Sequence, residues 1–290
     1  MKNQSIIKTI SILVVLFFST SMFAGGPWPQ LKNKGYIKIS EWWIISNQHY
    51  TDQGRIDPNV TSGLFNTSIY AEYGFSDRIT GVVYFPFLSI SYFNNTVSGT
   101  TGDTIFPGEL LNSLGDTDIG INYKILDGPL ALSASVTFGL PIGTESGGSL
   151  GTLQTGDGEF NQLLQLNIGT GFNLGDANAY ASAYIDYNNR TAGFSDEIRY
   201  GIEAGVTLFD NRLTAIARLY GIQSRNNGVS GQNENSSSIF ANNSEHLTIG
   251  PELAYSIGEN WGVSAGFGTA VSGKLIFAAT SYNVGVFFKI

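Results

Sequence analysis

The stretch DTDIGINYKI, Asp116 to Ile125, is apolar at every second residue. Thr117, Ile119, Ile121, Tyr123 and Ile125 fall on one side, and Asp116, Asp118, Gly120, Asn122 and Lys124 on the other. A strand turns successive side chains to opposite faces, so this segment has one greasy face and one wet face. The next segment repeats the pattern, with Leu130, Leu132, Ala134, Val136, Phe138 and Leu140 set against Ala131, Ser133, Ser135, Thr137 and Gly139. Strands of about 9–11 residues suit a tilted crossing of a bilayer, which would then cover the greasy face. The pattern predicts an all-β chain folded as a closed antiparallel transmembrane β-barrel.

Working outward from Asp116, about twelve such segments follow one another, an even number as bacterial barrels require. The expected strands are Tyr36–Ser46, Phe65–Gly74, Ile79–Ser91, Asp116–Ile125, Leu130–Leu140 and Leu163–Phe172, then Ala177–Asn188, Ile198–Leu208, Leu213–Ser224, His246–Ile257, Trp261–Val271 and Thr280–Ile290. Their connections alternate short and long. Phe75–Arg78, Leu126–Pro129, Asn173–Asp176, Phe209–Arg212 and Gly258–Asn260 each carry the Gly, Asp or Asn that tight turns favour. Asn47–Leu64, Tyr92–Gly115, Pro141–Gln162, Asn189–Glu197, Arg225–Glu245 and Ser272–Ala279 are the long ones. Short connections would be periplasmic and long ones would face outward, with both termini on the periplasmic side. Pro86 and Pro251 fall inside expected strands, where a missing N–H predicts a bulge.

The amino terminus reads as an export signal over residues 1–24. Lys2 and Lys8 precede the apolar run Ile10–Phe18, which is too short to span a membrane as a helix, and small residues lead to a cut after Ala24. Residues 25–34 would form a periplasmic or lumenal segment, and residues 35–290 the barrel. The chain lacks cysteine, so disulfides, thiolate metal sites and cysteine nucleophiles are excluded. Its net charge is −8, falling to −10 without the two leading lysines, which disfavours a nucleic-acid partner. Outer-membrane lipid and the barrel-assembly machinery are the partners expected instead. The final alternation Tyr282, Val284, Val286, Phe288, Ile290 is similar to the carboxy-terminal assembly signal of such barrels.

Aromatic residues sit at strand ends, with Phe75, Phe172, Phe209 and Trp261 at the turn side and Trp43, Tyr92 and Tyr187 at the loop side. Amphipathic rings favour the headgroup levels, so these positions predict two girdles.

Three stretches together, GGPWPQLKNKGYIKISEWW (25–43), YAEYGFSDRITGVVYFPF (70–87) and SLGDTDIGINYKIL (113–126), resemble a family of bacterial outer-membrane transporters of the phenol-degradation MetA-pathway type. That family is distantly similar to the FadL channels for long-chain fatty acids and hydrocarbons. The resemblance implies a barrel that passes small or apolar solutes. FadL-type channels have more strands and a longer folded plug than residues 25–34 supply, so their fatty-acid mechanism does not carry over directly. Such channels release apolar substrate sideways through a kinked strand, and the resemblance makes Pro86 the candidate for a lateral window.

The lumen-facing charges are expected to be Glu72, Asp116, Asp118, Lys124, Arg199, Glu203, Arg218 and Glu252, together with Lys289. They could guide a solute or form a ladder of paired charges that stiffens the barrel; mixed signs favour pairing. Small residues at Ser133, Ser135, Ser264 and Gly266 leave lumenal space. Pro27-Trp28-Pro29 is a stiff extended segment that could fold back into that space as a plug, with Trp28 against the wall. His49 and His246 each have a threonine two residues on and no serine, which does not match the His/Ser pattern of outer-membrane phospholipases. No catalytic residue, cofactor or metal is expected. Asp157, Glu159 and Asn161 alternate like part of an oxygen-ligand loop but lack the twelfth-position acid of an EF-hand. The function expected is a channel for small or apolar solutes; the alternative is a non-transporting structural or surface-binding barrel.

Overall fold

The computed structural model describes residues 26–229 and 239–290. The expected signal, residues 1–24, lies outside the described residues. The strands are β1 (Gly35–Tyr50), β2 (Ile56–Ser76), β3 (Ile79–Phe93), β4 (Thr96–Val97), β5 (Thr104–Phe106), β6 (Glu109–Ser113), β7 (Thr117–Leu126) and β8 (Ala131–Leu140). After these come β9 (Asn161–Leu174), β10 (Ala177–Asn189), β11 (Glu197–Leu208), β12 (Leu213–Ser224), β13 (Glu245–Ser256), β14 (Trp261–Lys274) and β15 (Thr280–Lys289).

Twelve of these strands pair in chain order, each antiparallel to the next, and β15 returns to β1 through Tyr36↔Lys289 to Ile44↔Ser281. The sheet therefore closes and has no free edge. A closed ladder pairs backbone groups strand to strand around the whole wall, which is what a strand protein needs in lipid.

The face assignment follows the alternation. Ile119, Ile121, Val136, Phe138, Ile202 and Phe288 are exposed on the outside, Val206 is half-exposed beside them, and Glu72 is buried inside. The chief cluster of buried apolar side chains lies in the lumen, where Tyr36, Ala254 and Phe287 pack with Tyr70. Ring pairs mark both levels of the wall: Trp43 stacks on Tyr282 at 5.7 Å and Phe65 on Tyr92 at 6.2 Å toward the loops, and Tyr73 meets Phe75 edge-on at 5.4 Å toward the turns.

Four local features differ from the sequence reading. The Asn47–Leu64 stretch is mostly ladder: Gln48↔Pro58, His49↔Asp57 and Tyr50↔Ile56 pair beyond a bulge at Ser46/Gln48. Thr51 N–H donates to Arg55 O across the turn, at 2.8 Å. Once a hairpin rises above lipid its faces are both wetted, so it pairs without apolar alternation. The long connection after β3 also holds the small β4/β5 ribbon and β6, which extends β7's place beside β3. Asp116 precedes β7 instead of opening it. At the prolines, Pro86 does produce a bulge, with Phe87 as the extra residue between Thr67↔Leu88 and Ser68↔Pro86. At Pro251 no register shift occurs; pairing with β14 lapses between Ile249↔Thr269 and Glu252↔Gly266 and then resumes in step.

Candidate functional site: the barrel lumen

Inward residues of β1, β11, β12 and β13 build a polar belt across the lumen. Lys38 Nζ donates to Glu252 Oε1 at 2.8 Å, and Arg218 Nη1 to Glu252 Oε2 at 2.7 Å. Arg218 Nε donates in turn to Glu203, and the Tyr180 hydroxyl donates to the other oxygen of Glu203. Glu203, Arg218 and Glu252 are thus brought together as the sequence placed them, and their charges are answered by one another. A confined charge left without a counterpart is costly, so mutual pairing is what makes the belt tolerable. Lys38 and Tyr180 were missed. Inward parity alone marks both, and each follows a reading of the side opposite the apolar one.

Below the belt, toward the short turns, the amino-terminal segment lies inside the lumen. Gly26 O accepts from Asn122 Nδ2 at 2.9 Å and from Ser133 Oγ at 2.8 Å, and Asn167 Nδ2 supports Ser133 at 3.2 Å. Pro27 and Pro29 are buried, and the Trp28 ring meets Tyr180 edge-on at 5.7 Å. Gln30 Nε2 donates to Glu72 Oε2 at 2.9 Å, its carbonyl accepts from Thr80 Oγ1 at 3.3 Å, and Asn33 N–H donates to Gly74 O at 2.8 Å. Residues 26–34 therefore run along the inner faces of β2, β3 and β7–β10. Prolines flanking the ring hold the chain extended and leave no unsatisfied N–H at their own positions. Beside the segment Tyr70 hydrogen-bonds Glu72 on β2, and on the adjoining β1 and β15 Tyr36 stacks on Phe287 at 5.9 Å. Of the small residues expected to leave space, Ser133 lies under the segment, and Ser264 is buried with no hydrogen-bond partner.

Lys124 sits at the turn-side mouth, where its amine pairs with Asp127 of the following turn at 3.2 Å. Asp118 and Arg199 lie in the loop-side half, as does Asp186, and Arg199 is held by Glu197 at 2.7 Å. His246 Nδ1 lies 3.0 Å from Thr248 Oγ1.

At the loop-side mouth Arg190 is the organising residue, and nothing in its sequence surroundings marks it. Its guanidinium is 3% exposed and reaches Asp157 at 2.8 Å, Glu159 at 2.9 Å and Glu197 at 2.8 Å, while lying 4.4 Å over the Phe194 ring. The acids that read as part of a cation loop are answered by a guanidinium. Asp116, expected in the lumen lining, sits at this rim and accepts the N–H groups of Gly143 and Asp157, each at 2.9 Å. Burial pushes the Asp157 carboxyl up to about 6 against the pull of Arg190, and the neighbouring Asp116 adds to the rise. Burial also raises Asp116 and Glu159.

A closed wall of twelve strands, apolar outside and polar within, with short turns at one end and loops at the other, is now complete. The fold is that of a transmembrane β-barrel. The COG4313 outer membrane channel from Pseudomonas putida F1 superposes with a TM-score of 0.58 at 12% identity, covering 92% of this chain and 100% of that one. The NanC porin gives a TM-score of 0.47 at 11% identity, over 88% of this chain and 100% of its own. No family model matches the chain, and no curated protein sequence matches it either. The structural likeness shows the barrel fold.

Proposed function

We propose that the protein is a passive channel moving small apolar solutes across the outer membrane, exported there by its amino-terminal signal. The observation that carries this reading is the amino-terminal segment seated in the turn-side lumen. Residues 26–34 seat on complementary small and polar side chains, with Trp28 against Tyr180, and they narrow the path for water and ions. The segment acts as a plug, so an apolar solute needs another exit.

The wall beside Pro86 supplies one. β3 pairs with β7 up to Tyr84↔Asp118 and with β6 from Ser89↔Ser113, and between these ladders Gly115 N–H to Pro86 O, at 2.8 Å, is the bond that bridges them. A bulge on one strand opposite a break in its neighbour is the weak point of the cylinder. Replacing Pro86 with Val should lower uptake of hydrophobic solutes while the barrel still assembles. Unchanged uptake in a correctly folded variant would leave only a bulge.

Planar-bilayer conductance of the protein with and without residues 25–30 tests the channel itself. A marked rise on deletion is expected. Conductance that is nil in both forms would favour the second reading, a structural or surface-binding barrel, which the mutual pairing of the lumenal charges also suits.

A further inference from the structure

Between the two aromatic levels, Glu41 is the one Asp, Glu, Lys, Arg or His side chain on the outer face of the wall among the described residues. The registers fix its direction. Lys38 reaches Glu252 inside the lumen and Ser40 touches Ser68 there, so Ile39, Glu41 and Trp43 face outward. Elsewhere the corresponding outward positions hold aliphatic, aromatic, proline, glycine or threonine residues. An ionisable side chain in contact with lipid is costly and is rarely kept without a task.

Its surroundings are ordered along the membrane normal. The carboxylate accepts from Thr67 Oγ1 at 2.5 Å, and Thr67 is its ladder partner on β2. One outward position toward the loops stand Trp43, stacked on Tyr282, and Phe65, which stacks on Tyr92 a further position up. One position toward the turns lie Ile39 and its cross-strand partners Ile69 and Val286. A carboxylate with aromatic rings next to it along the wall offers an ammonium both a counter-charge and a ring quadrupole. The aliphatic strip beneath it matches an alkyl chain lying in the bilayer. A second copy of this chain offers no cation from the same outer band, so charge complementarity points to a membrane-borne ligand.

We propose that Glu41, with Thr67 and the two ring stacks, binds the ammonium group of a cationic amphiphile whose chain lies along Ile39, Ile69 and Val286. The site is on the outside of the wall and does not depend on the lumen conducting.

The test uses the whole protein in maltoside micelles, titrated with a bromine-tagged long-chain alkylammonium and, separately, with the brominated alcohol of the same length. Bromine quenches tryptophan at contact, and Trp43 is the adjacent reporter. The ammonium should quench several-fold more strongly than the alcohol, and the excess should vanish in E41Q, whose amide can still accept from Thr67. It should also vanish in W43F, which removes the reporter. Equal quenching by both probes in the unaltered protein, or an excess that survives in E41Q or in W43F, would overturn the proposal.

Discussion

Gly169 lies directly beneath the Trp28 ring: a Cβ added there would stand 2.6 Å from Trp28 Cη2 and 2.5 Å from Pro27 Cγ. The absence of a side chain on β9 is thus what lets the amino-terminal segment lie flat against the wall. Gly169→Leu should displace it while leaving the strand pairing Ser182↔Gly169 intact. Single-channel conductance should rise toward that of the protein lacking residues 25–30, and Trp28 emission should shift to the red. Conductance and emission that both match the unaltered protein would show that the segment does not depend on this seat.

Removing Arg190 takes the cation from Asp157 and Glu159 and leaves Glu197 with Arg199 as its cation. Breaking a buried ionic cluster by taking out one partner costs on the order of 3–5 kcal/mol. Arg190→Gln should therefore free the loops at residues 141–160 and 189–196 locally, with faster amide exchange at Phe160 and Thr191 and earlier protease cleavage there. The twelve-strand ladder should keep its protection.

The Asp157 carboxyl, raised to about 6 chiefly by burial, makes the same loop sensitive to pH. A folded value above the ordinary one, about 4, means that the folded loop prefers the proton. Its stabilising contribution is complete below about pH 4 and is lost as pH rises through about 6. Arg190, Glu159 and Asp116 face this carboxyl and set how steep the change is. The Gly143 and Asp157 amides, both bonded to Asp116, should exchange faster at pH 7.5 than at pH 5 after correction for intrinsic rates. Asp157→Asn should flatten that difference.

Val136 and Thr137 are neighbours on β8, one facing lipid and one facing the lumen. Arginine at Val136, near the middle of the wall, should cost roughly 2–4 kcal/mol, and arginine at Thr137 much less. Denaturant titration of the reconstituted protein measures both, and equal costs would contradict the assigned faces.

The barrel was legible because one physical cause, lipid on one side and water on the other, writes the same period into every spanning strand. That cause stops at the headgroups. The rising part of β2 from Ile56 and the whole of β6 pair well but carry no apolar alternation, so no periodicity marks them. Parity also delivered Glu203, Arg218 and Glu252 to one place, since inward direction is fixed by the ladder. It could not say which of them would meet, because that depends on stagger between strands distant in sequence. Arg190 was illegible for a related reason: it sits in a loop, and two of its three carboxylate partners, Asp157 and Glu159, come from another loop, 33 and 31 residues away. Glu41 stood in plain view as the charged residue on the greasy side of its own strand, an exception whose neighbours only the register reveals.

Lys38 and Glu252 belong to β1 and β13, with β15 and β14 between them, so their 2.8 Å contact is a chord across the cylinder. It subtends three strand spacings, about 14 Å of wall. Ladder bonds resist sliding and fraying, but they bend easily, and a ring hinged at every strand can flatten into an oval. A chord forbids that deformation on the arc it spans, and this arc contains the β1/β15 seam where the cylinder is joined. The same side chains that occupy the bore therefore brace this arc of it against flattening. Widening the passage by removing them would also make it softer, so bore and shape cannot be tuned separately in this barrel.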